Sequence, residues 1–224
     1  MEMRDYLSIR RAYNLVRQRV DSARRVNFSE FAILCRLSLT DRRMRTSDIA
    51  EYQGCLRPTM THRTKHLAEL GLISREKGET DRRNVVCVLT EAGHAEVKEL
   101  CDETRKVNVE AHPTSRITVD RMCRSIDVMG SLNYMARDLV LLALNQTEGG
   151  ALTVGALVDE LGFLQPTISM SVMSLVEEGM VSRGRVSDDS STLYVIITDK
   201  GRGEAKRLAE PIAGMTVGRK ARKA

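Results

Sequence analysis

The stretch GCLRPTMTHRTKHLAELGLISREKGETDRRNVVCVLTEAG, residues 54–93, recurs without a gap as GFLQPTISMSVMSLVEEGMVSRGRVSDDSSTLYVIITDKG, residues 162–201. The offset between the two copies is 108 residues throughout. Twelve positions carry the same residue in both copies, and in the first copy they are Gly54, Leu56, Pro58, Thr59, Leu67, Glu69, Gly71, Ser74, Arg75, Asp81, Thr90 and Gly93. Repetition at a fixed offset indicates a repeated structural unit, so we predict that the chain contains one fold twice.

A helix-turn-helix motif is predicted in the first half of each copy. Met60, Thr64 and Leu67 fall on one face at helical spacing, after a proline that suits a first helical turn. A glycine that suits a left-handed helix stop follows them. A shorter helix precedes each glycine-to-proline turn, with Ser47 in the first copy and Thr153 in the second as the candidate N-caps.

A β-hairpin is predicted in the second half of each copy. Residues 72–77 and 84–90 have strand composition and flank a polar turn, as do residues 180–185 and 192–198. Helix, turn, helix and hairpin in this order indicate a winged helix-turn-helix. The predicted fold class is therefore mainly α with small β-hairpin wings, arranged as a tandem winged helix-turn-helix with pseudo-two-fold symmetry.

Longer helical segments flank each winged unit and set the expected domain boundaries. They span about residues 4–20, 28–39 and 90–109 around the first unit, and about 118–133, 137–145 and 198–209 around the second. Pro113 lies in a polar stretch between the two sets. We therefore predict a first domain at residues 1–112, a second at 113–212 and a basic tail at 213–224.

The composition of the 224-residue chain favours a cytoplasmic protein with a polyanionic partner. The net charge is +5 and the pI is about 9.1. The longest apolar run, LVLLAL at 139–144, is too short to span a bilayer, so no membrane partner is expected. Five cysteines, none of them in a C-x-x-C pair, indicate reduced thiols in the cytosol.

The two copies differ in charge. Residues 40–90 contain ten Lys or Arg and seven acidic residues, a net charge of +3. Residues 148–198 contain two Lys or Arg and seven acidic residues, a net charge of −5. Because neutralisation of phosphates supplies most sequence-independent DNA affinity, the first copy is the better candidate for a nucleic-acid contact.

Residues 48–93 resemble the MarR family of bacterial transcription regulators. They carry, in the family's order, a helix-turn-helix, the pattern L-x-x-x-G-L-I-x-R, a D-R-R wing and the pattern L-T-x-x-G. The duplicated form resembles the tandem members of the SarA-like branch. The resemblance implies a transcription regulator that binds double-stranded DNA, as a monomer acting as a pseudo-dimer or as a homodimer.

The resemblance also implies which residues contact DNA, because the second helix of the motif reads the major groove in this family. The expected contacts on this helix are Arg57, Thr59, Thr61, His62, Arg63, Lys65 and His66. On the hairpin they are Arg75, Lys77, Arg82 and Arg83, with Asp81 supporting the wing arginines through a charge-assisted pair. Many family members carry Arg where this chain has His62, and the neighbouring Arg63 is the candidate replacement.

The second copy has lost the cations of the first. Its wing has Ser190 and Ser191 where the first wing has arginines. Its expected DNA contacts are the uncharged residues Gln165, Thr167, Ser169 and Ser171. We therefore predict that the N-terminal unit supplies most of the DNA contacts. The alternative is a winged-helix protein-interaction module that modulates another regulator.

Other chemistry has less support in the sequence. His62 and His66 have the spacing of a metal pair, but no third ligand is near them, so neither a metal nor a cofactor is predicted. Cys55 precedes the reading helix and is a candidate redox sensor, although buried cysteines are also common. The resemblance implies a small aromatic ligand as a further candidate partner. No phosphate-binding loop or catalytic triad motif stands in a convincing context, so the chain is not predicted to be an enzyme.

Overall fold

The computed structural model describes residues 1–40, 42–77, 85–111, 117–185 and 192–218. Within these ranges the chain is mainly helical and carries two small antiparallel sheets, which confirms the predicted class of helices with β-hairpin wings. No helix in the same ranges combines the length and apolar character needed to cross a membrane. The chain divides into two compact units. We call Val16–Asn133 with residues 216–218 the central unit, and Met1–Leu15 with Tyr134–Met215 the terminal unit.

Helix α1 spans Met3–Gln18, and the helices of the central unit follow it along the chain. Helices α2 to α6 span Phe28–Thr40, Thr46–Tyr52, Arg57–Glu69, Glu91–Ala111 and Val119–Met129. Strands β1 to β3 span Met44–Arg45, Ile73–Lys77 and Val85–Leu89. Met60, Thr64 and Leu67 are buried on α4, as their helical spacing predicted. Gly71 follows α4 with a φ of 73°, which confirms the predicted left-handed stop.

The terminal unit combines the first 15 residues with residues 134–215, which include the stretch 162–201. Helices α7 to α10 span Ala136–Gln146, Val154–Leu161, Gln165–Glu177 and Asp199–Ala213. Strands β4 to β6 span Ala151–Leu152, Val181–Gly184 and Tyr194–Ile197. This division differs from the expected boundary at residue 112, because α6 groups with the central unit and the start of α1 with the terminal unit. Periodicity locates a helix along the chain but does not identify its packing partner.

Each unit contains one three-stranded antiparallel sheet, with the order β1-β3-β2 in the central unit and β4-β6-β5 in the terminal unit. Ile73 pairs with Leu89 in the first hairpin, and Val181 pairs with Ile197 in the second, so the two registers correspond at the offset of 108. The predicted hairpin strands are confirmed to within two residues at each end. Strands β1 and β4 were not predicted, because two residues are too few to show a period.

The two N-cap predictions have different outcomes. Thr153 caps α8, and its hydroxyl accepts the N–H of Ala156 at 3.0 Å, as predicted. The prediction for Ser47 was wrong, since α3 already begins at Thr46, directly after β1. The Thr46 hydroxyl donates to the carbonyl of Val85 at 3.1 Å and so fixes the start of α3 to strand β3.

Candidate nucleic-acid interface

Helix α4 presents its polar residues on the face opposite its buried residues. Its exposed polar side chains are Arg57, Thr59, Thr61, His62, Lys65 and Glu69. The Nζ of Lys65 lies 3.8 Å from Oε1 of Glu69, but both side chains are more than half exposed. Such a surface pair is weak, so Lys65 remains available to a phosphate. The exposed face of α4 therefore combines two full positive charges with an imidazole, two hydroxyls and the carboxylate of Glu69.

His66, which was also predicted to face DNA, is held against the body of the central unit. Its Nδ1 lies 2.8 Å from Oε1 of Glu30, whose side chain is only 4% exposed. The other oxygen of Glu30 accepts the N–H of Asn27 at 2.7 Å, and Asn27 Oδ1 accepts the N–H of Glu30 at 2.9 Å. This reciprocal cap fixes Glu30 at the start of α2. Glu30 thereby orients His66 and leaves ring atom Nε2 as the one that can face a ligand.

Arg63 is half-buried on the flank of α4. One of its guanidinium nitrogens lies 3.5 Å from Oε1 of Gln53, which is fully buried just after α3. The amide of Gln53 in turn donates to the carbonyl of Ser29 at 3.3 Å. Arg63 therefore packs over the turn between α3 and α4, and it is less accessible than the cations on the exposed face.

Strand β2 carries the other described cations of the expected interface. Arg75 is half-buried and lies opposite Cys87 in the hairpin register. Lys77 is exposed at the end of β2, where it pairs with Val85. The wing residues Asp81, Arg82 and Arg83 lie outside the described residues.

Helix α9 presents a different surface at the positions that match α4. Ile168, Val172 and Leu175 are buried, as the repeat predicted. The side chains of Met170 and Met173 are 72% and 55% exposed. They occupy the positions that correspond to His62 and Lys65. We did not predict from the sequence that these methionines are exposed. The offset of 108 could have shown it, because it matches them to residues of α4 that were predicted to be exposed.

The polar residues expected to contact DNA from α9 differ in how accessible they are. Gln165 and Thr167 are exposed, whereas Ser169 and Ser171 are half-buried. The hydroxyl of Ser171 donates to the carbonyl of Thr167 at 2.8 Å, so it already serves the helix backbone. None of the 13 residues of α9 is basic. This face of α9 therefore has no positive charge that could pair with a phosphate.

A polar cluster connects helices α2, α3 and α6. Arg36 of α2 lies 3.2 Å from Oδ2 of Asp127 on α6, and the Tyr52 hydroxyl of α3 donates to the same oxygen at 3.1 Å. The Arg36 guanidinium also stacks 3.5 Å above the centre of the Tyr52 ring. Burial raises the pKa of Asp127 to about 6, against the opposing charge of Arg36. Burial likewise raises the pKa of Tyr52 to about 12.

A model of the MarR family matches residues 26–85, which are 60 of the 224 residues and lie within the central unit. The matched region runs from just before α2 to the start of β3 and contains α4. No curated protein matches the chain significantly.

One solved structure found to be similar is the X-ray crystal structure of the YusO protein from Bacillus subtilis. Its sequence is 20% identical to this chain, and the match covers 56% of this chain and 82% of that chain with a TM-score of 0.39.

Proposed function

We propose that the chain is a cytoplasmic transcription regulator that binds double-stranded DNA in a sequence-specific manner, with the central unit supplying most of the contacts. The observation that carries the proposal is the exposed face of α4, where Arg57, Thr61, His62 and Lys65 stand together. A helix that presents such donors on one face suits a major groove, where bases offer acceptors and phosphates flank both sides. The MarR family match over residues 26–85 supports the same reading.

The wing is proposed to add a second contact. Arg82 and Arg83 belong to the segment that links β2 to β3, and the negative potential of a narrow minor groove attracts guanidinium groups. The corresponding segment between β5 and β6 has Ser190 and Ser191 instead. Since a hairpin needs no arginine to remain soluble, their presence in one wing alone favours a role in binding, with Asp81 orienting them.

The two winged segments are further proposed to be copies of one unit. Their elements follow the same order, and the first and last residues of α9 lie 108 positions after those of α4. One chain would then supply the two winged units that a family dimer supplies with two chains. We therefore propose a monomer that acts as a pseudo-dimer, with a homodimer as the alternative.

The test is salt-dependent binding to a duplex selected from a random-sequence library. We expect the double variant Arg82→Ser, Arg83→Ser to bind this duplex about ten- to thirtyfold more weakly than the wild type at physiological salt. The slope of log affinity against log salt should become shallower by about 1.8, because two phosphate-neutralising charges are lost. Fluorescence anisotropy with the labelled duplex gives both quantities.

The control for this test is the reverse exchange, Ser190→Arg with Ser191→Arg, in the other wing. In the Arg82→Ser, Arg83→Ser background, we expect this exchange to raise the non-specific affinity for DNA. We do not expect it to restore the wild-type preference for the selected sequence. Unchanged affinity and slope in the wing variant would contradict the DNA-binding role of the wing, and failure to select any duplex would contradict the proposed function.

A second candidate function is carried by the exposed methionines of α9. Leu164, Met170 and Met173 are each at least 55% exposed and form an apolar surface. Glu177 of α9 and Asp159 and Glu160 of α8 are exposed acidic residues of the same unit. Flexible methionine side chains in a segment of net negative charge suit the apolar face of a basic amphipathic helix. We therefore propose such a helix, from another protein, as the partner of α9.

A synthetic peptide of lysine and leucine at helical spacing is the probe for this partner. We expect the wild-type protein to bind this peptide. The variant Met170→Ser, Met173→Ser should bind the peptide at least tenfold more weakly. Leu193→Ser removes another exposed apolar side chain of the terminal unit and is the matched control, with expected affinity unchanged. Equal binding of a peptide with glutamate in place of lysine, or no effect of the methionine variant, would contradict the proposal. Isothermal titration measures each affinity.

A further inference from the structure

Three cysteines that are distant in sequence meet in the core of the central unit. Cys35 comes from α2, Cys101 from α5 and Cys123 from α6, and their three sulfur atoms all lie within 4.8 Å of one another. The Sγ atoms of Cys35 and Cys101 are 3.9 Å apart. All three side chains are buried, and Cys123, at 6% exposed, is the most accessible. The three thiols therefore surround a common point that is shielded from solvent.

The spacing of the sulfur atoms is close to that of a three-coordinate thiolate site. Bonds of about 2.3 Å from a pyramidal centre to three sulfurs, at angles of about 100°, place those sulfurs about 3.5 Å apart. The Sγ atoms of Cys35 and Cys101 are 3.9 Å apart, so a small inward movement of the three cysteines would complete the site. Thiolates are soft ligands and select soft ions over magnesium, calcium or manganese.

The charge of the occupied site decides which soft ion fits. Among the described residues, no histidine, aspartate or glutamate joins the three cysteines, so the fourth ligand of a closed zinc site is not supplied. Three thiolates would leave a net charge of −1 around a divalent ion and −2 around a monovalent ion. An unpaired charge is costly in a buried apolar position. A trivalent ion with three thiolates is neutral.

We propose that Cys35, Cys101 and Cys123 form a binding site for a soft trivalent metalloid ion of the arsenite class. Arsenious acid would exchange its three hydroxyls for the three thiols. Three As–S bonds form, three As–O and three S–H bonds break, three water molecules leave, and arsenic remains trivalent. The exchange is neutral overall, because each thiol proton leaves in a water molecule together with one hydroxyl of the arsenious acid.

Helix α2 connects the cysteine site to α4, the proposed DNA-reading helix, and this step rests on the proposed function. Helix α2 carries Cys35 and also Glu30, which holds His66 of α4 at 2.8 Å. The next residue after Cys35 is Arg36, which contacts Tyr52 of α3. Drawing the sulfurs of α2, α5 and α6 together would shift the helix on which both contacts depend. Arsenite would then lower the affinity of the central unit for DNA.

The site is tested without DNA, on the reduced full-length protein incubated with sodium arsenite. We expect one arsenic atom per chain after desalting, measured by mass spectrometry of the metalloid, and a rise of several degrees in the unfolding temperature. Each single variant Cys35→Ala, Cys101→Ala and Cys123→Ala should retain less than a tenth of the bound arsenic. Cys87→Ala is the matched control, since Cys87 is equally buried but lies outside the cluster, and it should bind like the wild type.

Several results would overturn the proposal. Arsenic binding that survives in all three cluster variants would place it at other thiols, such as Cys55. Stoichiometric zinc binding without arsenite binding would contradict the charge argument. Circular dichroism of each variant without arsenite checks that it is folded before binding is measured. If arsenite binds but leaves the affinity for the selected duplex unchanged, the coupling to α4 fails while the site stands. If the protein proves not to bind DNA, the expected number of arsenic atoms bound per chain does not change, so the site is tested independently of the proposed function.

Discussion

Exchanging three exposed residues of α4 for their counterparts on α9 is expected to weaken DNA binding by about 100-fold or more. The triple variant is Arg57→Gln, His62→Met, Lys65→Met, and it installs the residues found at positions 165, 170 and 173. It removes two positive charges and an imidazole from the exposed face. Glutamine and methionine are good helix formers, so α4 should remain intact. The loss is measured by fluorescence anisotropy with the selected duplex over a series of salt concentrations.

The matched control removes the same number of charges elsewhere in the central unit. Lys98→Met on α5 and Arg121→Gln on α6 both change exposed cations. We expect this double variant to lose less than about threefold in affinity, because screening weakens charges that do not contact the phosphates. If the control loses as much as the α4 variant, net charge alone explains binding and the α4 face has no special role.

Replacing Gly93 by alanine is expected to destabilise the central unit by about 3 kcal/mol, the upper part of the range for overpacking. A Cβ atom at this position would lie 2.0 Å from the carbonyl oxygen of Leu72 and 2.8 Å from Cδ2 of Leu89. The same Leu72 carbonyl accepts the N–H of Thr90 at 3.1 Å, so it cannot move away without loss of that bond. Urea-induced unfolding followed by circular dichroism measures the effect.

Gly203→Ala is the control for this prediction. Gly203 lies within α10, and a Cβ atom there would meet nothing within 4 Å. Alanine should therefore stabilise the protein by about 0.5 to 1 kcal/mol, since it costs less backbone entropy than glycine in a helix. The prediction for Gly93 extends to Gly201, whose Cβ would lie 2.0 Å from the carbonyl of Met180. A Gly93→Ala variant as stable as the wild type would contradict the steric account.

Features that depend on local sequence could be predicted. The buried face of α4, the glycine that follows it and the hairpin strands all follow from spacing within a few residues. Because the second copy repeats the pattern 108 residues later, the same predictions apply to it, and Ile168, Val172 and Leu175 are buried as expected. The steric reason for the glycine in the pattern L-T-x-x-G was not visible, because it depends on the position of the Leu72 carbonyl on another element.

Features that depend on contacts between distant residues could not be predicted. Glu30 and His66 are 36 positions apart, and the sequence pattern alone placed His66 on the DNA-facing surface. Cys35 and Cys101 are 66 positions apart, so their spacing gave no sign of a cluster. The grouping of α6 with the central unit is a packing preference of the same kind. Each of these contacts is set by tertiary packing rather than by the periodicity of one segment.

The measurement that tests the central claim most directly is photo-cross-linking from matched positions of α4 and α9. A benzophenone amino acid replaces either His62 or Met170, both of which are exposed and one repeat offset apart. The labelled duplex selected by the wild type is irradiated with each variant, and the covalent protein–DNA adduct is quantified. Our account predicts a strong adduct from position 62 and at most a trace from position 170. A stronger adduct from position 170 would contradict the assignment of the DNA-reading surface to α4.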